Sequence, residues 1–216
     1  MYRVCVEKES NPRTIPVGRS SRLSGSSYWT SPLERGCAVL HDRAGRIYAD
    51  GNCTSESYRE ADALVADVNK YLKTEGKHLK DYMARQGLRM EAPDAMGAMS
   101  LEDQVIAAVL KYDTPIGRRG ILISNSPGYE QRVRNFGDQY MAQIEDLAER
   151  YELAKEFVLE HELFHQAGIT GEIATQRQQE LFYRQRARQT KGKEKQRYEA
   201  KARAAAQRIE EEISKN

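Results

Sequence analysis

The chain has 216 residues, 39% hydrophobic and 31% charged, with 34 basic and 32 acidic side chains and a formal net charge of +2. Its mean hydropathy is -0.76. That length suits one good core or a small domain with an extension. The near balance of charge argues against a chain devoted as a whole to nucleic acid, and no run approaches the roughly 20 apolar residues that cross a bilayer. Met1-Tyr2-Arg3-Val4-Cys5 lacks the apolar segment of a secretory signal, so a soluble, cytoplasmic protein is expected.

Residues 1–55 read as strand and loop. Tyr2 to Val6 alternates. Cys37-Ala38-Val39-Leu40-His41 and Arg46-Ile47-Tyr48-Ala49 flank Asp42-Arg43-Ala44-Gly45 as a hairpin would. Between Gly18 and Pro32 serine and glycine dominate, which predicts a mobile loop anchored by Trp29. His41 and His78 stand alone and read as ordinary residues. Cys5, Cys37 and Cys53 are widely spaced, without a C-x-x-C pair, and read as free or buried thiols. Cys53, in the turn-like Asp50-Gly51-Asn52-Cys53, is also placed to cap a metal site as a latency device, since thiolate is a strong zinc ligand.

From Thr54 to Gly87 the pattern is helical, with Ala61, Leu64, Val65, Val68 and Leu72 on a 3–4 rhythm and a break at Gly76. Ala92-Pro93-Asp94-Ala95-Met96-Gly97 reads as a linker. Ser100-Leu101-Glu102-Asp103 resembles a capping box and predicts a helix to about Tyr112. Gly120-Ile121-Leu122-Ile123-Ser124, bounded by Asn125-Ser126-Pro127-Gly128, predicts a short strand.

No proline or glycine occurs from Asp138 to Ala167, and Tyr140, Ile144, Leu147, Tyr151, Ala154 and Val158 recur at steps of four and three. The rhythm predicts one amphipathic helix, and its next positions are His161 and His165. They belong to His161-Glu162-Leu163-Phe164-His165, the H-E-x-x-H arrangement of zinc peptidases. With 3.6 residues per turn, residues four apart share a helix face and can hold one metal ion together. Four histidines occur in the chain and two are here. Two core histidines would otherwise each need a hydrogen-bond partner.

Gly168 suits a helix C-terminus and Thr170 an N-cap, with Glu172 in the first turn of a helix over 172–191. In the resulting helical hairpin Glu172 faces the level of His165, whereas Glu180 would face that of residue 158. Glu172 is the preferred third ligand and Glu180 the alternative. Thr175 or Gln176, one turn on, could support a ligand by hydrogen bonding. From Arg184 to Asn216 there are 11 basic and 5 acidic residues, and 191–216 reads as a basic, charged C-terminal helix or tail. It is solvated, or it contacts nucleic acid, an acidic partner or the cleft itself.

His161, Glu162, His165 and Glu172 together resemble a gluzincin, the zincin clan whose third ligand is a glutamate on the helix after the motif. The short connection resembles the compact minigluzincins, and the resemblance covers roughly residues 119–190. The metzincin pattern does not apply, because Gly171 stands where its last ligand would be. The resemblance implies one Zn2+ per chain held by His161, His165 and Glu172, with Glu162 as general base for a zinc-activated water. It also implies an oxyanion donor, for which Tyr183 is the candidate, and a cleft-edge strand that pairs with peptide substrate, for which residues 120–124 are the candidate.

The expected class is therefore α+β and mostly helical: a zincin-like helical core with a small strand or sheet at the cleft edge and a β-containing N-terminal region. The expected segments are 1–97 (cap or propeptide), 98–190 (catalytic core) and 191–216 (basic tail). The leading function is a zinc metallopeptidase acting on peptide or protein, with no membrane partner. The alternatives are a regulatory zinc protease that cuts one partner and a non-enzymatic helical protein whose tail binds nucleic acid.

Overall fold

The computed structural model describes residues 5–7, 37–42, 47–51, 54–90, 95–99, 107–110, 120–124 and 129–215. The described chain is mostly helical, with six helices and six short strands. It divides into two compact units, Met1–Leu72 with Ala92–Tyr129, and Lys73–Glu91 with Glu130–Asn216. No helix among the described residues is long and apolar enough to cross a membrane.

The first unit holds a sheet and one helix. Its strands are β1 (Cys5–Glu7), β2 (Cys37–Asp42), β3 (Ile47–Gly51), β4 (Ala95–Met99), β5 (Ala107–Leu110) and β6 (Gly120–Ser124), in the order β1-β3-β2-β4-β6-β5. The hairpin expected around residues 42–45 is present, with Cys37 opposite Gly51 and His41 opposite Ile47. Helix α1 (Ser55–Lys73) follows, and Asp62 on it meets His41 of β2 at 3.1 Å.

Three expectations fail in this unit. Residues 95–97 of the supposed linker belong to β4, which pairs with β2 on one side and β6 on the other. The helix expected to reach Tyr112 is replaced at 107–110 by β5, antiparallel to β6. Pairing with distant strands overrides local helix preference there. The strand at 120–124 exists, but both its edges are bonded, to β4 and β5. It therefore has no open edge to receive a peptide, and it belongs to the unit that does not contain the histidine motif.

The second unit is helical: α2 (Gly76–Arg85), α3 (Tyr129–Tyr140, its first residue excepted), α4 (Leu147–Gln166), α5 (Glu172–Gln189) and α6 (Gly192–Ser214). Helix α4 is its axis, and every residue from Phe157 to Phe164 is buried. Phe157 meets Phe136 of α3 and Tyr183 of α5, and Phe164 meets Tyr82 of α2, at centroid distances of 5.2, 5.8 and 6.2 Å. A Cβ on Gly137 of α3 would lie 3.3 Å from the Arg150 side chain and 3.5 Å from Ala154, so glycine there lets α3 cross α4 closely.

The helix expected over 138–167 is broken between Tyr140 and Leu147. Two side chains stabilise the break. Asp146 caps α4 by accepting from the backbone N–H groups of Ala148 and Glu149 at 2.9 and 3.1 Å. Arg150 reaches back to donate to the carbonyls of Ile144 (2.8 Å) and Ala142 (3.4 Å) and to Asp138. Leu147, assigned to the apolar stripe, is 64% exposed as a consequence.

The basic C-terminal segment is helix α6, bound to α4 by a ladder of charges. Lys193 meets Glu149 at 2.8 Å, Arg197 meets Glu156 at 3.2 Å, and Lys201 meets Glu156 at 2.7 Å and Glu160 at 3.1 Å. Both sets of partners climb in step, so α4 and α6 run in the same direction with α5 returning between them. At the inner end Lys201 and Glu160 are 2% and 1% exposed. Burial opposes charge on Lys201, but Glu156 and Glu160 outweigh it and hold the ammonium above its ordinary range. Removing one partner of such a pair leaves a buried charge alone. Lys201→Met is expected to destabilise the fold by about 3 kcal/mol, read as a lower midpoint in chemical denaturation, and Glu160→Gln in the same chain is expected to recover part of that loss.

Candidate metal centre

The site begins with the pitch of α4. His161 and His165 lie one turn apart on one face, with ring centroids 4.6 Å apart and planes at 85°. Their Nε2 atoms are 3.0 Å from each other. His161 is 9% exposed, so these rings sit at the margin of a packed core.

The end of α4 then brings in the third group. Gly168 takes φ 105, a conformation that side chains resist. The N–H of Gly168 donates to the His165 carbonyl at 3.0 Å, and that of Ile169 to the Phe164 carbonyl at 3.2 Å. This pair of bonds is the Schellman closure, and it satisfies carbonyls that the helix end would leave open. It also turns the Ile169 carbonyl towards His165, whose Nδ1 is 2.9 Å away. Gly168 therefore acts as expected. Thr170 does not: the N-cap of α5 is Gly171, at φ 86, with no side-chain cap. Gly171, at a positive φ that glycine adopts without penalty, sets Glu172 in the first turn of α5, where a carboxylate also suits the positive helix end.

Glu172 meets both rings. Its Oε2 is 3.0 Å from Nε2 of His161 and its Oε1 is 3.4 Å from Nε2 of His165. One ligand atom from each of the three residues lies within 4.8 Å of the others, so they form a group able to hold a metal ion. Glu180 is elsewhere, paired with Arg184 one turn on at 2.6 Å. Of the two supporting residues suggested by spacing, Thr175 takes part. Its hydroxyl donates to the Gly171 carbonyl at 3.0 Å and lies 3.2 Å from Nδ1 of His165. Gln176 is buried and its amide forms no hydrogen bond among the described residues.

The electrostatics follow from this proximity. Hydrogen bonds with His161 and then His165 hold the Glu172 carboxyl far below the ordinary carboxylate range, against partial burial. Burial disfavours charge on His165, but the bonds to Glu172 and the Ile169 carbonyl and the charges of Glu162 and Glu172 outweigh it and raise its pKa. Glu162 is itself 6% exposed, beside the two histidines in the stretch of α4 from Phe157 to Phe164 that is buried throughout.

Tyr183, the expected oxyanion donor, is not at this group. It is fully buried, and its hydroxyl donates to Glu160 and accepts from Gln179 at 3.0 Å. Three turns beyond Glu172, α5 has carried it behind the motif, against Phe157. Gln179 is the residue that sequence reasoning missed. Its Oε1 is 2.8 Å from Nδ1 of His161. Two turns from Glu172, it shares that residue's face of α5, and this seven-residue spacing was the signal available. Cys53, the candidate thiolate cap, lies outside the described residues, and Cys5 and Cys37 are on β1 and β2.

In the metal-free chain these shifts define a pH window. The depressed Glu172 adds stability that is present above its ordinary value of 4.5 and is lost as pH falls. The raised His165 adds stability that is present below its ordinary value of 6.5 and is lost as pH climbs through the higher folded value. The thermal midpoint of the metal-free chain is expected to gain most from this pair between those two values. Glu172→Gln should flatten both limbs of the curve, and an unchanged pH profile in that variant would contradict the assignment.

No family model, curated protein or solved structure matches this chain. What the site does therefore rests on its own geometry.

Proposed function

We propose that the chain is a zinc-dependent metallopeptidase of gluzincin type, holding one zinc ion through His161, His165 and Glu172. The observation that carries the reading is the convergence of two imidazole Nε2 atoms and a carboxylate at 3.0 to 3.4 Å. Ligand atoms about 2.0–2.1 Å from a tetrahedral zinc lie about 3.3 Å from one another, so the spacing fits that ion. The donor set fits as well: two nitrogens and one carboxylate leave a fourth position for substrate or water, as catalytic zinc sites do.

Bound zinc would supply a Lewis acid that polarises a peptide carbonyl and makes water acidic near neutral pH. The protein's part falls to Glu162 and the ligand helix. Glu162, one residue from His161 and near enough to raise the pKa of His165, is the base that takes a proton from the attacking water and hands it to the leaving amine. Tyr183 has no part in this scheme as an oxyanion donor, because its hydroxyl is bonded to Glu160 inside the core.

Metal analysis and casein hydrolysis together test the reading. The purified chain is expected to carry one zinc, and His161→Ala to lose it. Glu162→Gln should keep the zinc while hydrolysis falls about a hundredfold or more, the usual contribution of a positioned acid–base group. Full activity in Glu162→Gln, or zinc retained by His161→Ala, would overturn the proposal.

A further inference from the structure

His161 is held from behind by a chain of groups, each with one permitted orientation. The Gln179 side chain is fully buried. Its Nε2 donates to the Phe157 carbonyl at 3.0 Å and to the Tyr183 hydroxyl at 3.0 Å. A carbonyl only accepts, so the amide cannot turn over without setting two oxygens against each other. Its Oε1 must then face His161, and because that oxygen also only accepts, Nδ1 of His161 must carry the proton. Nε2 can then bond Glu172 only by carrying a second proton, and without that proton it presents its lone pair towards Glu172 and His165.

The far end of the chain is anchored in α6. Having accepted from Gln179, the Tyr183 hydroxyl donates to Glu160. Glu160 in turn accepts from the Lys201 ammonium at 3.1 and 3.2 Å. Lys201 is 2% exposed, and its other partner is Glu156 at 2.7 Å. The order Lys201, Glu160, Tyr183, Gln179, His161 thus crosses from α6 through α4 and α5 back to α4, with every donor direction fixed.

We propose that Gln179, backed by Tyr183, Glu160 and Lys201, is a positioning residue that locks His161 as the Nδ1-protonated tautomer and so presents Nε2 as a metal ligand. The effect on affinity rests on the metal-site reading above, whereas the lock is a property of the metal-free chain. Partners of this kind around ligating histidines change metal affinity about 10- to 100-fold when removed. Here the lock also explains a buried glutamine and a buried tyrosine hydroxyl beside a motif that does not itself include them.

Two measurements on the full chain test it. The first is the ring-nitrogen NMR spectrum of the metal-free protein at a pH where the rings are neutral. His161 is expected to be protonated on Nδ1, and to lose that preference in Gln179→Met. The second is zinc affinity by competition with a chromophoric chelator. Gln179→Met is expected to bind about 10- to 100-fold more weakly. A wild-type His161 protonated on Nε2 overturns the proposal, as does undiminished zinc binding by Gln179→Met. If Gln179→Met does not fold, the wild-type spectrum decides alone. A locked tautomer in a chain that takes up no zinc would support the lock and remove the metal reading, so the two failures are distinguishable.

Discussion

Two imidazole nitrogens and a carboxylate meet within 3.4 Å at the end of α4. Three electron-rich groups at that distance repel one another unless something positive lies among them. Protons can serve, which is why His165 is pushed towards its charged form and Glu172 away from its neutral one in the metal-free chain. A divalent ion serves better, because it satisfies all three groups at once and requires neither histidine to be charged. The rest of the helical unit keeps these groups from moving apart.

That restraint acts on both sides. In front, the Schellman closure at Gly168 and the positive φ of Gly171 return the chain within a few residues, so Glu172 arrives opposite the rings. Behind, Gln179 and the Ile169 carbonyl occupy the Nδ1 positions. Further back, the charge ladder between α4 and α6 fixes the helix that carries both histidines. Its outer rungs are partly exposed, and exposed pairs contribute little. The inner pair, Lys201 with Glu160, is buried, where a lost partner is costly because it leaves one charge alone.

The sequence made the front of the site legible and the back illegible, for a physical reason. Helical pitch converts the spacing of His161 and His165 directly into shared geometry, and Gly168 marks the end of the helix by its backbone freedom. Glu172 follows from those two facts. The other features depend on partners far along the chain. The break before Leu147 comes from Arg150 reaching back over it, which no periodicity reveals. Strands β4 and β5 exist because other strands pair with them. On α5 the inward face includes Thr175, Gln176 and Gln179, so a buried surface is written largely in polar residues. Pattern reading offered Thr175 or Gln176 as a support but not Gln179, and it offered Tyr183 as an oxyanion donor where burial places it in the core.

X-ray absorption at the zinc edge of the zinc-loaded full chain reads the ligand set directly. The expected spectrum contains only nitrogen and oxygen scatterers at about 2.0–2.2 Å, with the outer-shell pattern of two imidazoles. A sulfur shell at about 2.3 Å, or a first shell without imidazole, would contradict it.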